Sequence, residues 1–378
     1  MYAKEHSKRI LLTGGAGFIG SALVRRLICQ QAAMVVNCDK FTYAAIPAAL
    51  QEVDGQPEYR LERIDICNRR SVERIFRSYR PTGVIHFAAE THVDRSIEGP
   101  LAFIRTNVLG TGVLLEVSSG YYSELSAAER IAFRFHHVST DEVFGSLPNE
   151  GPAFNESDAY APNSPYSASK AGADHLVRAW HRTFAFPVVI THGSNTFGPW
   201  QFPDKFIPVM IINALRGRPM PIYGKGDNIR DWLFVEDHVE ALWRVWCDGV
   251  TGDSYNIGGE SELTNRQVAI RICRLLDRIL PDSPNRPHER LITFVADRPG
   301  HDFRYALDTT KIRRELGWRP RYGFDEALEE CVRWYIDNRP WWENILAEKY
   351  QGARLGLRMG REPGYDGANS QRYRSSGR

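Results

Sequence analysis

Between Arg9 and Ser139, short unbroken apolar runs alternate with stretches in which apolar residues recur at helical spacing. The runs fall at residues 10–13, 34–38, 83–88 and 133–139, and residues 21–31 carry the helical texture between the first two. A strand with one solvated face would alternate apolar and polar side chains. Runs this continuous need cover on both faces, as crossover helices supply to a parallel sheet. The first half therefore predicts an α/β fold, a doubly wound parallel sheet of Rossmann type. After about Ser194 the texture changes: Gly198-Pro199, Gly217-Arg218-Pro219 and Arg298-Pro299-Gly300 punctuate shorter pieces, with helical patterns at 265–279 and 324–337. These pieces predict a second, smaller α/β lobe closing over the carboxyl edge of the sheet. The expected division is residues 1–193 with about 231–259 in the sheet domain, 194–230 with about 260–350 in the second lobe, and 351–378 as a tail. The tail is rich in Gly, Ser and Arg and poor in apolar residues, which predicts disorder.

Charge adds an exclusion. With 48 Lys and Arg against 46 Asp and Glu, no global field draws the chain to nucleic acid or an anionic membrane. The tail's arginines are dispersed and lack the aromatic company of a nucleic-acid arm. An anionic ligand must then be held by a local site, which points to a small molecule. The first apolar run is far too short for a signal-peptide core or a membrane span, so the cytoplasm is the expected location. Cys29, Cys38, Cys67, Cys247, Cys273 and Cys331 are scattered with no C-x-x-C pair, so neither a disulfide framework nor a zinc knuckle is indicated. The His136-His137 pair has no third ligand at metal spacing and is expected to pack; no metal site is expected.

Three motifs carry chemistry. The glycines of Gly14-Gly15-Ala16-Gly17-Phe18-Ile19-Gly20 follow a strand and open a helix, the context of a dinucleotide fingerprint. Gly14 suits the tight turn, Gly17 lets backbone approach a pyrophosphate, and Gly20 lets helix and strand pack. Asp39 ends the second apolar run where a carboxylate meets ribose hydroxyls and repels a 2′-phosphate, so NAD is favoured over NADP, with adjacent Lys40 as the counter-indication. Tyr166 and Lys170 stand four residues apart at a helix start and share a face. The ammonium is expected to lower the phenol pKa from about 10 and make Tyr166 a base. Thr140-Asp141-Glu142 ends the run at 133–139, at the strand edge where doubly wound sheets place their chemistry.

Together these residues resemble the extended short-chain dehydrogenase/reductase superfamily, and within it the dTDP-glucose 4,6-dehydratases. The likeness extends from about Arg9 to about Tyr350 through His86–Ser96, Phe135–Ser139, Ile222–Asp227, Arg230-Asp231-Trp232, Tyr255–Gly259 and Ala296–Asp302. Related epimerases share Tyr-x-x-x-Lys but typically lack Asp-Glu after the threonine. The resemblance implies an NAD cleft formed by Gly14, Gly17, Phe18, Ile19, Gly20, Asp39, Lys40, Thr42, Asp65, Ile66, Ala88, Ala89, Thr106, Tyr166, Lys170 and Asn195. It implies that His92, Thr140, Asn195, Lys205, Phe206, Pro221, Tyr223, Arg230, Asn265, Arg298 and His301 hold dTDP-glucose, and that the chain forms a homodimer. It further implies that Tyr166, oriented with Thr140, deprotonates the sugar 4-OH, that Glu142 takes the C5 proton, and that a protonated Asp141 donates to the departing 6-OH. Another nucleotide-sugar dehydratase, a 4-epimerase, a decarboxylase and a silent NAD-binding protein are the competing readings. The chain departs from the family pattern at Ala45, Ile46, Phe144, Thr196 and Phe197, none of them an implied acid or base.

Overall fold

A computed structural model describes residues 8–348; the expected disordered tail lies outside them. The strands are β1 (Arg9–Thr13), β2 (Met34–Asp39), β3 (Tyr59–Arg63), β4 (Gly83–His86), β5 (Arg134–Thr140), β6 (Val188–Gly193), β7 (Asn195–Phe197), β8 (Met220–Tyr223), β9 (Ile229–Phe234), β10 (Ser254–Ile257), β11 (Glu262–Thr264) and β12 (Ile292–Val295). Seven form one sheet in the order β10-β6-β5-β4-β1-β2-β3. Every pairing in it is parallel. The order reverses at β1, and a crevice opens outside the carboxyl ends of β1 and β4, where such sheets take ligands.

The continuous apolar runs do what their pattern requires. Along β1, Ile10 and Leu12 enter the core beneath helices Phe18–Cys29 and Val235–Asp248, while Leu11 enters a second core. That second core lies under helices Arg69–Tyr79, Thr111–Glu124 and Pro165–Phe184. The segment Pro100–Glu124 has the length and apolarity of a membrane span, but half of it is buried within the protein.

The second lobe is built on a three-stranded sheet, β11-β9-β7, and a two-stranded sheet, β12-β8. Residues 231–234, expected with the main sheet, instead lie in β9, pairing with β7 and β11. The reason is local: Asp231 Oδ2 accepts from Gly259 N–H at 2.9 Å and Oδ1 from Ser261 N–H at 2.8 Å, tying β9 to the turn before β11. The chain returns to the main sheet with helix Val235–Asp248 and β10.

Candidate active site

At the carboxyl edge of the sheet, a cavity of about 330 Å³ is lined by the glycine loop, the ends of β2, β4, β5 and β6, and Tyr166. The three glycines serve distinct needs. A Cβ on Gly14, whose φ is +76°, would lie 2.6 Å from Ala88 N, and one on Gly20 would lie 2.3 Å from Gly14 O. Those two are packed against backbone. A Cβ on Gly17 would meet only Gly14 O, at 3.3 Å, so its open side is the cleft itself. The loop is thus a cradle bare of side chains at the amino end of helix Phe18–Cys29, a setting suited to a pyrophosphate.

Asp39 is fixed at the cleft wall by two backbone donors, Ala16 N–H at 3.0 Å to Oδ2 and Phe41 N–H at 2.8 Å to Oδ1. Lys40 is tied away from any 2′-phosphate: its Nζ donates to Thr106 Oγ1 at 3.0 Å and lies 3.2 Å from Glu90 Oε1. The donor set therefore fits a dinucleotide with free ribose hydroxyls. Phe18, Ile19, Thr42, Ile66, Ala88, Ala89, Thr106 and Asn195 all line this cavity. Asp65 is outside that lining, because its carboxylate accepts the N–H of Cys67 at 2.8 Å and holds the turn after β3. Lys170 is also outside it, buried beneath the floor with Nζ donating to Val138 O at 2.9 Å.

The centre of the site is assembled by two local signals. Ser164 caps helix Pro165–Phe184 through Ser167 N–H, with Pro165 in the first turn, which sets Tyr166 at the helix start and 7% exposed. Thr140 ends β5 and caps the tight turn Asp141–Phe144, its hydroxyl accepting Glu142 N–H at 3.3 Å and donating to Asp141 Oδ1 at 3.1 Å. Asp141 Oδ2 is buried with no hydrogen-bond partner. Burial and then the Glu142 charge hold the Asp141 carboxyl well above its usual range, which favours the protonated form. Burial raises Glu142 as well, opposed by Arg298, Arg230 and Lys205.

One expectation is overturned. Tyr166 is held above its ordinary value, by burial first and the Glu142 charge second, with a hydrogen bond to Thr140 acting the other way. Lys170 does not dominate because its ammonium faces the Val138 carbonyl rather than the phenol. A cation brought close to the ring would act in the missing direction.

A second cavity, of about 310 Å³, opens toward the small lobe and meets the first at Thr91, Glu142, Asn195, Asp204 and Lys205. His92, Phe206, Pro221, Tyr223, Arg230, Asn265, Arg298 and His301 line it with Asn195 and Lys205; Thr140 lines the first cavity instead. Asn265 is delivered by a capping box in which Thr264 and Gln267 exchange hydrogen bonds. Arg230 stacks 4.4 Å over Tyr305 and donates to the carbonyls of Ile229, Asp302 and Phe303. No carboxylate lies within ion-pair distance of it among the described residues, so its charge is available to an anion. Arg298 is partly neutralised by Asp94 at 3.1 Å, which also accepts from Tyr223 OH at 3.0 Å. His92 caps the turn at Val93 and lies 3.6 Å from Asp204, and burial lowers its ring pKa to about 2.

Sequence reasoning missed several neighbours. Asn107 sits in a π-helical turn, Ile104–Gly110, and joins Glu90 to Ser169 with three hydrogen bonds at 2.8–3.0 Å. A π-turn leaves no periodic signal, so nothing in the pattern singled it out. Asp204 and Tyr43 hydrogen bond at 3.1 Å across 161 residues of chain, a contact only the fold creates. Among the departures, Thr196 pairs with His238 at 2.8 Å and Phe144 stacks on Phe154 at 5.2 Å, so both are absorbed by packing. The two adjacent histidines pack as expected, fully buried, and the described residues contain no group of His, Cys, Asp and Glu arranged to hold a metal.

The sequence profile of the GDP-mannose 4,6 dehydratase family matches residues 11–331. A dTDP-glucose 4,6-dehydratase of Neisseria meningitidis serogroup B is 53% identical over 351 residues, covering 92% of this chain and 99% of the relative. The chain belongs to the dTDP-glucose 4,6-dehydratase family. A second such dehydratase, from Haemophilus influenzae, is 54% identical over 331 residues, 87% of this chain and 98% of its own. Among solved structures, the dTDP-glucose 4,6-dehydratase DesIV of Streptomyces venezuelae, with NAD and TYD bound, superposes with a TM-score of 0.80 at 42% identity. That match covers 89% of this chain and 99% of DesIV. A UDP-glucose 4-epimerase from Thermotoga maritima shares the architecture at 27% identity and a TM-score of 0.75, covering 88% and 99%. Membership in the dTDP-glucose 4,6-dehydratase family accords with the Thr140-Asp141-Glu142 turn beside Tyr166.

Proposed function

We propose that the chain is a dTDP-glucose 4,6-dehydratase, an NAD-dependent, redox-neutral hydro-lyase whose product is dTDP-4-keto-6-deoxyglucose. The observation that carries this reading is a buried Asp141 carboxyl, one oxygen unpartnered, adjoining Glu142, which stands where the two cavities meet. Oxidation at C4 alone needs one base; the additional acid and base are what elimination needs. The glycine loop and Asp39 would hold NAD⁺, which would supply a hydride acceptor for C4 and, once reduced, a hydride donor for C6.

The remaining steps are proton transfers by this chain. Tyr166, with Thr140 beside it, removes the proton from the 4-OH, and Lys170 holds its positive charge one turn along the same helix. The C4 ketone makes C5–H acidic, and Glu142 takes that proton. Asp141 gives its proton to the 6-OH, so water leaves; a donor held above its usual range stays loaded at neutral pH. Glu142 then returns a proton to C5 as C6 is reduced. Arg230, Lys205 and Arg298 offer the charge that paired phosphates reward, Asn195 offers a buried, unpartnered Oδ1, and Asn265 and Tyr223 line the same cavity.

Two finer readings accompany this one. A homodimer accounts for the exposed apolar side chains Leu101, Ile104 and Leu109 on the 100–124 segment, beside helix Pro165–Phe184. A cytoplasmic location suits six cysteines that are all unpaired. The function is tested by assaying dTDP-, UDP- and GDP-glucose side by side. Turnover should be greatest with dTDP-glucose, and preference for another nucleotide would reassign the substrate.

A further inference from the structure

One helical turn beyond Lys170 lies a fully buried carboxylate that the chemistry above leaves unused. Tyr166, Lys170 and Asp174 recur every four residues along helix Pro165–Phe184, and all three are buried. Four-residue spacing places side chains on one face, one above the other. Asp174 Oδ2 accepts from Ser139 Oγ at 2.8 Å and from Tyr160 OH at 2.9 Å, and His192 Nε2 lies 3.4 Å from it. Oδ1 lies 3.0 Å from His137 Nε2. His137 and Ser139 flank Val138, whose carbonyl receives the Lys170 ammonium. Three consecutive residues of β5 therefore seat both charged groups.

The surroundings leave Lys170 one counter-charge. No carboxylate approaches its Nζ within ion-pair distance among the described residues. The titratable groups close enough to act on it or feel its charge are Asp174 on its own helix, His137 on β5 and His86 on β4, the two imidazoles 5.2 Å apart; Tyr166 stands one turn away on the same helix, and the ammonium points to the Val138 carbonyl instead. Burial, foremost, keeps both imidazoles below their ordinary range and so neutral. An uncompensated buried ammonium is strongly disfavoured and sheds its proton instead. Burial brings Lys170 down to about 8, and Asp174 opposes that fall. Burial alone would raise Asp174, but His137 and His192 outweigh it and hold the carboxyl below its usual range.

We propose that Asp174 is a positioning residue: clamped by Ser139, Tyr160, His137 and His192, it is the counter-charge that keeps Lys170 protonated one turn from Tyr166. The inference rests on Tyr166 as the base for the 4-OH. Its consequence is that the alkaline limit of C4 oxidation is set by a carboxylate that touches neither ligand cavity.

The test is single-turnover NADH formation from the NAD⁺-loaded protein and dTDP-glucose as a function of pH, with NAD⁺ affinity measured beside it. Asp174→Asn keeps the size and removes the charge. Its alkaline limb should move to lower pH by about one unit or more, a roughly tenfold rate loss above the new limb, while NAD⁺ affinity changes by less than about threefold. Should that variant not fold, Asp174→Ser, which leaves room for water among the rings, carries the same expectation. A limb that stays at the wild-type position, a uniform rate loss accompanied by lost NAD⁺ affinity, or failure of both variants to fold makes Asp174 structural and overturns the inference. A wild-type protein that forms no NADH with dTDP-glucose overturns the functional reading and this inference with it. A wild-type transient with an unshifted Asp174→Asn limb overturns the inference alone.

Discussion

Asp141 and Glu142 are adjacent in sequence, yet their surroundings differ. Asp141 is buried in the wall of the first cavity, with one oxygen on Thr140 and the other unpartnered, whereas Glu142 lines both cavities and feels Arg298, Arg230 and Lys205. In the proposed mechanism the first is the donor and the second the acceptor. Asp141→Asn and Glu142→Gln should each slow elimination by roughly 10²- to 10⁴-fold. Both should retain a transient of NADH on mixing with dTDP-glucose, because Tyr166 and the cofactor cleft are untouched; stopped-flow absorbance separates the two steps. The carboxyls also make a stability statement. An acid with a raised folded-state pKa binds more protons folded than unfolded, so its contribution is fully present below the unfolded value near 3.8 and declines as pH rises above it. At neutral pH the buried Asp141 thus costs stability, and Asp141→Asn should unfold at higher denaturant concentration than the wild type.

At the scale of elements, the glycine loop makes a separable prediction. A methyl on Gly20 collides with the Gly14 carbonyl, so Gly20→Ala should cost about 1–3 kcal/mol of folding stability and NAD⁺ affinity with it. A methyl on Gly17 points into the cleft, so Gly17→Ala should melt near the wild-type temperature and lose NAD⁺ affinity alone. Calorimetry and fluorescence titration distinguish the two. These elements were legible because each obeys a local rule: the strand runs, the Gly14-x-x-Gly17-x-x-Gly20 turn, and the helix pattern at 265–279 coincide with β1, the cradle and helix Asn265–Ile279. The π-turn carrying Asn107, the partition of β9 into the small sheet, and the anchoring of Asp65 on its own turn were not legible. Each depends on which backbone group a residue finds after the chain has folded.

For the whole molecule, the question is how two lobes present one reaction centre. Asn195 begins β7 immediately after the main sheet's β6, and Asp204 and Lys205 follow within the same crossing, so a single passage of chain lines both cavities. The charges of the small lobe, Arg230 and Arg298, then act at long range on Glu142 in the large one. For the proposed homodimer, whose face would carry the exposed Leu101 and Leu109, Leu101→Glu with Leu109→Glu should shift sedimentation from dimer to monomer. The family likeness pointed to many of the polar side chains that line the second cavity, Lys205, Arg230, Asn265 and Arg298 among them, but not to Asp204, Val209, Met210 or Asn213, nor to the Tyr43–Asp204 contact, which joins segments far apart in the chain. The account stands most directly on one claim, that Glu142 exchanges the C5 proton during loss of water. Turning over dTDP-glucose in deuterated water should give a 4-keto-6-deoxy sugar carrying deuterium at C5, and either an unlabelled C4 epimer or no product from dTDP-, UDP- or GDP-glucose would contradict it.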